Sequence, residues 1–332
     1  MAGTSLHDKI LQLSSAFWTS RTLQAVAELG VADALGDEPQ TAQELARKLN
    51  LNTDALNRAL RLLASFGIFE QRDGKWAHTP ESRLLRESDP RSARAFLRLL
   101  GLPFIWASWG HLEHSLRTGE PAVNTLGANG PFDYLSKHPD EGAIFHAGMA
   151  AKANREIPAV LEAYDFSVHQ RIADVGGGRG HLLRAILDKT PGSTGILFDR
   201  PHVVADAPPH PRMKPVGGDF FTGPLPEADA YLLMDVLHDW PDADVVRILK
   251  SVRKAAPNNT TVLVIETVLP QTPGPHLAKA LDVNMLVMTG GRERTPDEHG
   301  KLMAAAGFRL EKVIPTAAPY SLVKAVTAWR SG

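Results

Sequence analysis

A glycine-rich loop stands in the second half of the chain, directly after a short apolar run. It reads Asp174-Val175-Gly176-Gly177-Gly178-Arg179-Gly180, and the pattern places it where a predicted strand ends and a predicted helix begins. Glycines at this place let the backbone turn tightly and approach a ligand closely. Amide groups at the start of a helix also favour an anionic group. The loop, with Gly176 and Gly178 inside it, therefore predicts a cofactor-binding turn.

The spacing of the glycines separates two kinds of cofactor. A dinucleotide-binding loop requires glycine at its first, third and sixth positions, but the sixth position counted from Gly176 is His181. Asp174 precedes the glycines, and its carboxylate would repel a pyrophosphate but would suit a ligand with an ammonium group. The methionine end of S-adenosylmethionine carries such a group. A nicotinamide-dependent oxidoreductase is therefore the less favoured alternative.

Two further acidic positions continue this pattern at the ends of the following apolar runs. Asp199 ends the next predicted strand, 19 residues after Gly180, where an acid accepts hydrogen bonds from ribose hydroxyls. Asp219 and Phe220 follow a third strand, where the carboxylate suits an adenine amino group and the ring suits the face of the base. A single aspartate at a strand end is more often a turn residue. Three acids in this order favour a nucleoside-binding site.

A histidine and two glutamates are the candidates for catalysis. His238 lies in LLMDVLHDWPD at the end of an apolar strand, Glu266 ends the next strand, and Glu293 stands in GGRERT before a helix. Ligands of doubly wound sheets bind at this edge, so the three side chains predict a base held by acids. Proton transfer from a phenol, with a pKa of about 10, to an ordinary histidine, at about 6.5, costs roughly 5 kcal/mol. A nearby carboxylate reduces that cost, so we expect a concerted displacement with His238 as general base.

Structural roles are the alternatives for these residues. His238 taken alone would more often be a histidine bonded inside the sheet, and its place beside the nucleoside pattern is what favours catalysis. Asp239, a candidate substrate contact, is alternatively the cap of the helix that starts in PDADVV. The aromatic and methionine residues of the middle section, Phe145 and Met149 among them, are core residues in the simpler interpretation.

The elements that must position the catalytic candidates follow from the spacing of apolar residues. From about residue 165, short apolar runs alternate with helical stretches such as HLLRAILDK and DADVVRILKSVRKA. This alternation predicts a parallel sheet with helices on both faces. The tail from Phe308 to Trp329 adds two more β-prone runs. The fold class predicted for this half is therefore α/β, Rossmann-like and doubly wound.

The first hundred residues have helical spacing instead. The segment LQLSSAFWTSRTLQAVAELGVADAL predicts an amphipathic helix, and Thr41 with Glu44 forms a capping box that starts another. A further helix ending near Gly67 and a tight turn at Asp73-Gly74 complete the pattern of a winged helix. Three segments are predicted: a mostly α winged-helix domain over 1–100, a helical linker contributing to the substrate pocket over 101–164, and the catalytic domain over 165–332.

The composition excludes several classes of protein. The chain has 332 residues, no cysteine, and a net charge of −1 from 36 basic and 37 acidic residues. Disulfides, thiolate metal sites and cysteine nucleophiles are therefore excluded, and the histidines show no metal-ligand spacing. The N-terminal residues lack a signal pattern, and no apolar run is long enough to span a membrane. A cytoplasmic protein without a metal or a membrane partner is expected.

A winged helix raises one alternative from another class, a DNA-binding regulator with a ligand-sensing domain. The basic residues of its helices would be the groove contacts: Arg47, Lys48, Arg58 and Arg61. The near-neutral charge, and the acidic residues between the basic ones, favour a solvated helix face without a nucleic-acid partner.

Taken together, these motifs resemble the small-molecule O-methyltransferases of plants and bacteria, a family with caffeate-type and polyketide- or phenazine-modifying members. The motifs that carry the resemblance are DVGGGRG, FDRPHVV, GDFF, LHDWPD, VIETVLP and LDVNMLVMTGGRERT. Together with the winged-helix segment, the resemblance covers nearly the whole chain. The resemblance implies S-adenosylmethionine as cofactor, no metal, and a hydroxyl of a small aromatic molecule as acceptor. It also implies a homodimer formed through the N-terminal domains.

The resemblance implies roles for individual residues as well. His238 would be the base, with Glu266 and Glu293 beside it. The cofactor would be held by residues of the loop and the strand ends: Asp174, Gly176, Gly178, Asp199, Asp219, Phe220 and Met234. The substrate pocket would be lined by Phe145, Met149, Asp239, Asn284, Met285 and Met288.

Two positions depart from the plant pattern. Met234 stands where plant members carry a lysine near the adenine, and the asparagine that they carry near Met288 is absent. A bacterial secondary metabolite is therefore a better expectation for the acceptor than a monolignol. Some relatives with this architecture have diverged to hydroxylation or decarboxylation, and methylation of a ring nitrogen remains open. The retained His238 and both glutamates favour ordinary methyl transfer to oxygen.

Overall fold

The structure is a computed structural model and describes residues 5–328. The described residues form two compact units, each assembled from two stretches of the chain. The first unit contains the residues up to Trp106 and Leu135–Lys152, and the second contains Ala107–Tyr134 and the residues from Ala153 onward. Residues 101–164, expected to form a linker of their own, are divided between the two units, and the limits at residues 100 and 164 stay predictions. Trp329, which the sequence placed at the end of the last β-prone run, lies outside the described residues.

In the described residues, a mostly helical first part with one hairpin is followed by alternating strands and helices, as the sequence predicted. The helices are α1 (Leu6–Glu28), α2 (Val31–Leu35), α3 (Ala42–Leu49), α4 (Thr53–Ala64), α5 (Pro80–Arg83), α6 (Arg94–Leu100), α7 (Pro103–Gly110), α8 (Leu112–Thr118), α9 (Pro131–Lys137), α10 (Pro139–Ala163), α11 (His181–Lys189), α12 (Pro201–Ala205), α13 (Asp242–Ala255), α14 (Leu277–Met288) and α15 (Pro296–Ala305). The strands are β1 (Phe69–Arg72), β2 (Lys75–His78), β3 (Arg171–Val175), β4 (Thr194–Asp199), β5 (Met213–Gly217), β6 (Ala230–Met234), β7 (Thr261–Glu266), β8 (Phe308–Pro315) and β9 (Ser321–Thr327). Short 3-10 helices cover Ala122–Leu126, Phe166–Val168 and Leu237–Asp239.

The local signals in the first unit are largely confirmed. Thr41 and Glu44 form the predicted capping box at the start of α3, with the Thr41 hydroxyl accepting the Glu44 amide at 3.2 Å. Asp73 and Gly74 both have positive φ, 49° and 76°, as a two-residue hairpin turn between β1 and β2 requires. Two helices and a hairpin thus stand in the predicted order, and their assignment to the winged-helix class stays a prediction.

The first predicted helix differs from expectation in two ways. Gly30 has a φ of 65°, and this left-handed residue ends α1 and begins α2, so the predicted amphipathic helix is two helices. The first half of α1 also leaves its large apolar side chains exposed instead of packing them in a core: Leu6, Ile10, Leu11, Leu13, Phe17 and Trp18. An apolar groove of about 490 Å³ lies beside α1, and Phe17, Trp18 and residues of α4 line it.

A seven-stranded sheet forms the centre of the second unit, with the strand order β5-β4-β3-β6-β7-β9-β8. Strands β3 to β7 pair in parallel, as the alternating pattern predicted. Strand β9 is antiparallel to both β7 and β8, so the tail does not extend the parallel order. The direction of the order reverses between β3 and β6, and sheets of this kind bind ligands in the crevice at such a point. The loops that follow these two strands carry the glycine pattern and His238.

Helices cover both faces of the sheet and bury it. Ile172 and Ala173, successive residues of β3, belong to two different apolar clusters because neighbouring side chains of a strand point to opposite faces. Leu183 of α11 belongs to the cluster that contains Ile172, and Ile248 of α13 belongs to the cluster that contains Ala173. The sheet is therefore a rigid base for the loops at its carboxyl edge. Among residues 5–328, no helix has the length and apolar character that a membrane crossing requires.

Candidate active site

The glycine loop lies against the loop that follows β6. Gly176 has a φ of 73°, and a Cβ atom built on it would lie 2.8 Å from Cγ2 of Val236. A Cβ atom on Gly177 would lie 2.5 Å from the carboxyl carbon of Asp174. These distances leave no room for a side chain, so both glycines are needed for the close packing of the loop. Helix α11 begins directly after the loop, at His181.

Asp174 lies beneath this loop and not on its surface. The residue is 1% exposed, at the end of β3 and under Gly177. Burial, supported by the charge of Asp199 and opposed by the Leu183 amide, raises the pKa of Asp174 to about 7. A direct pairing of this carboxylate with a ligand ammonium therefore stays a prediction, and in the structure the side chain lies directly under Gly177.

The two other aspartates of the nucleoside pattern stand at the predicted strand ends. The Asp199 carboxylate closes β4 and accepts the Gly178 amide at 2.8 Å and the Arg200 amide at 2.6 Å. It thereby fixes the middle of the glycine loop to the neighbouring strand. Asp219 follows β5, and its carboxylate accepts the Phe221 amide at 2.8 Å.

Aromatic side chains group beside Asp219. The Phe220 ring packs edge-to-face against Phe221, with centroids 4.9 Å apart, and against Trp240 at 6.0 Å. Met234 ends β6 and is half-buried. Each of these side chains stands at the carboxyl edge of the sheet, where the sequence predicted a nucleoside site, and their contact with a cofactor stays a prediction.

His238 is buried in a short turn after β6, and carboxylates surround its ring. Its Nδ1 atom forms a 3.0 Å hydrogen bond with Oε1 of Glu293. Its Nε2 atom lies 3.8 Å from Oδ1 of Asp235 and 3.9 Å from Oδ1 of Asp239. One ring nitrogen is thus held by a carboxylate, and the other lies beyond hydrogen-bond distance of two more.

Glu266 has a different role from the one its place beside His238 suggested. Its Oε1 atom accepts three successive backbone amides, from Val236 at 3.2 Å, Leu237 at 2.6 Å and His238 at 3.0 Å. A buried carboxylate with three amide donors holds the backbone of the turn in one conformation. The structure therefore brings both predicted glutamates to His238, where Glu293 binds the imidazole and Glu266 binds the backbone.

The protonation of these groups follows from burial and charge. Burial disfavours the charged imidazole, but the Glu293 hydrogen bond and the carboxylates of Asp239, Glu266 and Asp235 outweigh it and raise the pKa of His238 to about 10. Burial also raises the pKa of Glu266 to about 7, against the charge of His238. The site is therefore built to stabilise an imidazolium.

A loop from Gly291 to Arg294, which sequence reasoning valued only for Glu293, locks this turn in place. A Cβ atom on Gly291 would lie 1.9 Å from the carbonyl oxygen of His238, and the Arg292 amide donates to the same oxygen at 2.8 Å. Arg294 is 1% exposed and donates to the carbonyls of Leu237 at 3.1 Å and Trp240 at 2.7 Å. GGRERT gives one sequence signal for this role, an arginine next to Glu293 in the loop between α14 and α15.

The candidates for the substrate pocket fall in both units. Asn284, Met285 and Met288 lie on α14 in the second unit, and the Asn284 side-chain oxygen accepts the Trp109 indole N–H at 3.1 Å. Met285 and Met288 are buried. Phe145 and Met149 lie on the part of α10 that belongs to the first unit, and both are half-buried. A common pocket for the two groups stays a prediction. Asp239 does not cap α13, whose N-cap residue is Pro241.

Within residues 5–328, no group of three or more histidine or acidic side chains is arranged to hold a metal ion. Glu293 binds the ring of His238, and Glu266 binds its backbone amide. The carboxylates of the site thus act together on one buried imidazole, that of His238, and raise its pKa.

Comparison with known proteins places this geometry in context. A family model described as an O-methyltransferase domain matches residues 109–309, and one described as an O-methyltransferase dimerisation domain matches residues 11–88. The chain is 39% identical to a phenazine O-methyltransferase of Lysobacter antibioticus, over 95% of each chain. It is 34% identical to an 8-amino-8-demethylriboflavin N,N-dimethyltransferase of Streptomyces davaonensis, over 91% of this chain and 90% of the other. The structure of human N-acetylserotonin methyltransferase in complex with S-adenosylmethionine has a TM-score of 0.90 and 30% identity, covering 99% of this chain and 100% of the other.

Proposed function

The chain belongs to the O-methyltransferase family, and from this premise we propose that it transfers the methyl group of S-adenosylmethionine to a hydroxyl of a small aromatic molecule. The observation that carries the proposal is the buried pair of His238 and Glu293 at the carboxyl edge of the sheet, beside the glycine loop. Relatives named for a phenazine and for an aminoriboflavin support an aromatic acceptor. The departures from the plant pattern favour a bacterial secondary metabolite.

The residues of the loop fit the cofactor. Gly176 and Gly177 let the loop pack closely on Val236 and Asp174, Asp199 fixes the Gly178 amide, and the half-buried backbone of these three glycines carries no side chain that would keep a ligand away. When bound, S-adenosylmethionine supplies an electrophilic methyl group on a positively charged sulfur. The residues proposed to hold it are Asp174, Gly176, Gly178, Asp199, Asp219, Phe220 and Met234.

His238 is proposed to take the proton of the acceptor hydroxyl at Nε2. Glu293 holds Nδ1, so Nε2 is the nitrogen left to face an acceptor. The Glu293 hydrogen bond and the nearby carboxylates raise the pKa of His238 toward that of a phenol, so proton transfer from a phenol to the neutral imidazole costs less than the roughly 5 kcal/mol for an ordinary histidine. The acceptor oxygen, freed of its proton, is then the nucleophile for the methyl group, and the proton remains on the imidazole beside Glu293.

The acceptor is proposed to lie against the apolar side chains of two helices. Met285 and Met288 of α14 offer adaptable apolar surface, and Asn284 and Asp239 offer polar contacts. The family resemblance adds Phe145 and Met149 of α10 as proposed acceptor contacts. Such a lining suits a flat ring system with few polar groups.

A nitrogen acceptor is the second candidate, because one relative is named as an N,N-dimethyltransferase. A neutral aromatic amine already has a lone pair for the methyl group and needs no proton removed beforehand. His238, raised in basicity by Glu293, would then have no task before transfer. The buried pair therefore favours oxygen.

We also infer that the chain forms a homodimer. The dimerisation model matches residues 11–88, and the exposed apolar side chains of α1 stand in that segment beside an apolar groove. A large apolar face of this kind marks an interaction surface. A second copy of the chain is the proposed occupant.

Calorimetric titration and an acceptor panel test the function. S-Adenosylmethionine and its demethylated product are titrated into the wild type and into Asp199→Ala, whose glycine loop has lost its carboxylate anchor. We expect binding by the wild type that is weakened in the variant, followed by mass-spectrometric detection of one added methyl group on phenols and not on matched anilines. Absence of cofactor binding by the wild type would contradict the proposal, and methylation of the anilines alone would favour the second candidate.

A further inference from the structure

Asp235 stands between His238 and a tyrosine from a distant part of the chain. It follows β6 directly, with a φ of 53°, a left-handed conformation that aspartate and asparagine adopt more readily than most residues. Its Oδ2 atom accepts a hydrogen bond from the hydroxyl of Tyr320. Its Oδ1 atom lies 3.8 Å from Nε2 of His238. One carboxylate is therefore tied on one side and directed at the imidazole on the other.

The distance to Nε2 decides what this carboxylate does. A charge-assisted N–H···O bond measures about 2.7–2.9 Å, so Asp235 lies about 1 Å too far from His238 to form one. At this distance its charge still favours the imidazolium. If the carboxylate moved closer, both nitrogens of His238 would be bound by acids, with Glu293 on Nδ1 and Asp235 on Nε2. No nitrogen would then remain for the acceptor hydroxyl.

Tyr320 is placed to prevent that movement. It is 2% exposed and lies just before β9, and the carboxyl group of Glu156 on α10 lies near its hydroxyl. Glu156 is itself 2% exposed and is paired with Arg155 at 2.8 Å. The tyrosine is thus fixed by the packing around it, and the proton of its hydroxyl, donated to Asp235, can hold that carboxylate in one orientation.

We propose that Tyr320 is a positioning residue, which by binding Asp235 keeps that carboxylate off the acceptor-facing nitrogen of His238. The proposal rests on the proposed function, since it takes Nε2 as the atom that receives the acceptor proton. The charged groups that face His238 are Glu293 from the loop before α15, Glu266 from β7, and Asp235 and Asp239 from its own loop, with Arg294 bound to the backbone of the turn.

Removal of the Tyr320 hydroxyl is the first test. In Tyr320→Phe the carboxylate of Asp235 loses the hydrogen bond from the Tyr320 hydroxyl and is expected to close on Nε2. We expect kcat to fall about tenfold or more with little change in the KM of the acceptor, because the base is blocked while the pocket is intact. The low-pH limb of the kcat profile is expected to move upward by about one pH unit, since a closer carboxylate stabilises the imidazolium.

Two further variants separate positioning from a general loss of structure. Asp235→Asn suits the left-handed backbone and removes the charge, so Tyr320→Phe combined with Asp235→Asn is expected to recover most of the lost kcat. Tyr231→Phe is the matched control, because that buried tyrosine donates to the Pro226 carbonyl at 2.8 Å, away from the site. It is expected to leave the pH profile unchanged.

Nitrogen NMR of histidine-labelled protein gives a readout that does not depend on activity. We expect the His238 resonance of Tyr320→Phe to show a newly hydrogen-bonded Nε2 and a higher pKa than in the wild type, with Tyr231→Phe unchanged. The inference is overturned if Tyr320→Phe matches Tyr231→Phe in both readouts, or if the Asp235→Asn combination recovers nothing. If the wild type transfers no methyl group, the proposed function fails, while the NMR titration still decides the position of Asp235.

Discussion

Replacing Gly291 by alanine is expected to displace His238 without removing any functional group. The added Cβ atom would lie 1.9 Å from the His238 carbonyl oxygen and 2.5 Å from the carbonyl carbon of Asp239. The loop or the turn must therefore move by about 1.5 Å, the difference between the shorter distance and the 3.4 Å at which ordinary contact begins. A misplacement of about 1 Å costs about a hundredfold in rate, so kcat is expected to fall by about that factor. The strain is expected to lower the free energy of unfolding by about 1–3 kcal/mol.

Steady-state kinetics, calorimetry and chemical denaturation measure the three consequences. The dissociation constant of S-adenosylmethionine is expected to change less than kcat, because Asp199, which anchors the glycine loop, stands at the end of a different strand, β4. Gly192→Ala is the control, since a Cβ atom there meets nothing within 4 Å. A Gly291→Ala variant with the kcat of the control would refute the argument that this loop sets the position of the imidazole.

Three other perturbations have defined outcomes. Burial lowers the pKa of His238, but the Glu293 hydrogen bond raises it. Glu293→Gln is therefore expected to shift the low-pH limb of the kcat/KM profile to lower pH and to lower the plateau of the profile. A limb that stays at the wild-type pH would contradict this. Burial and the charge of Arg294 lower the pKa of His299 to about 4, whereas the unfolded chain takes up this proton near pH 6.5. The wild type is therefore expected to lose roughly 3 kcal/mol of stability relative to His299→Leu as the pH falls from about 6.5 to about 4, and a constant difference between the two would refute it. The double variant Phe17→Glu, Trp18→Glu places two charges on the exposed face of α1 and is expected to be monomeric in light scattering. The control Val168→Glu changes an exposed apolar residue of the second unit and is expected to remain dimeric. A double variant that is still dimeric would disprove the proposed interface.

Features encoded by neighbouring residues were predictable from the sequence. The glycine loop, the strands β3 to β7 and the helices α11 and α13 follow from periodicity and from turn residues, which act over a few positions. The placement of Asp199, Asp219, His238 and Glu266 at strand ends follows in turn, because parallel strands share one carboxyl edge.

Features that depend on distant contacts were not predictable in the same way. The antiparallel direction of β9 is set by its pairing with β7. The hydrogen bonds from Arg294 to backbone carbonyls of the His238 turn depend on the path of a loop that begins more than 50 residues after that turn. The pairing of Tyr320 with Asp235 joins residues 85 positions apart. Side-chain types gave no local signal for any of these contacts.

The burial or exposure of a side chain in the folded protein also differs from what the sequence predicted at two places. The sequence predicts that the charge of Asp174 faces a ligand, yet the side chain lies under the loop at 1% exposure, and this burial raises its pKa. The sequence predicts an amphipathic helix at α1, yet six of its large apolar side chains are exposed in the described chain: Leu6, Ile10, Leu11, Leu13, Phe17 and Trp18. Exposure is a property of the assembled fold, and in α1 the proposed second copy supplies the missing cover.

The dependence of the His238→Ala defect on the acidity of the acceptor tests the central claim most directly. For an unactivated phenol with a pKa of about 10, loss of the base is expected to lower kcat/KM by about 10²–10⁴-fold. For a phenol acidic enough to be ionised in solution at the assay pH, the same substitution is expected to cost far less, because the oxygen arrives without its proton. A defect of equal size for both acceptors would contradict the assignment of His238 as the base.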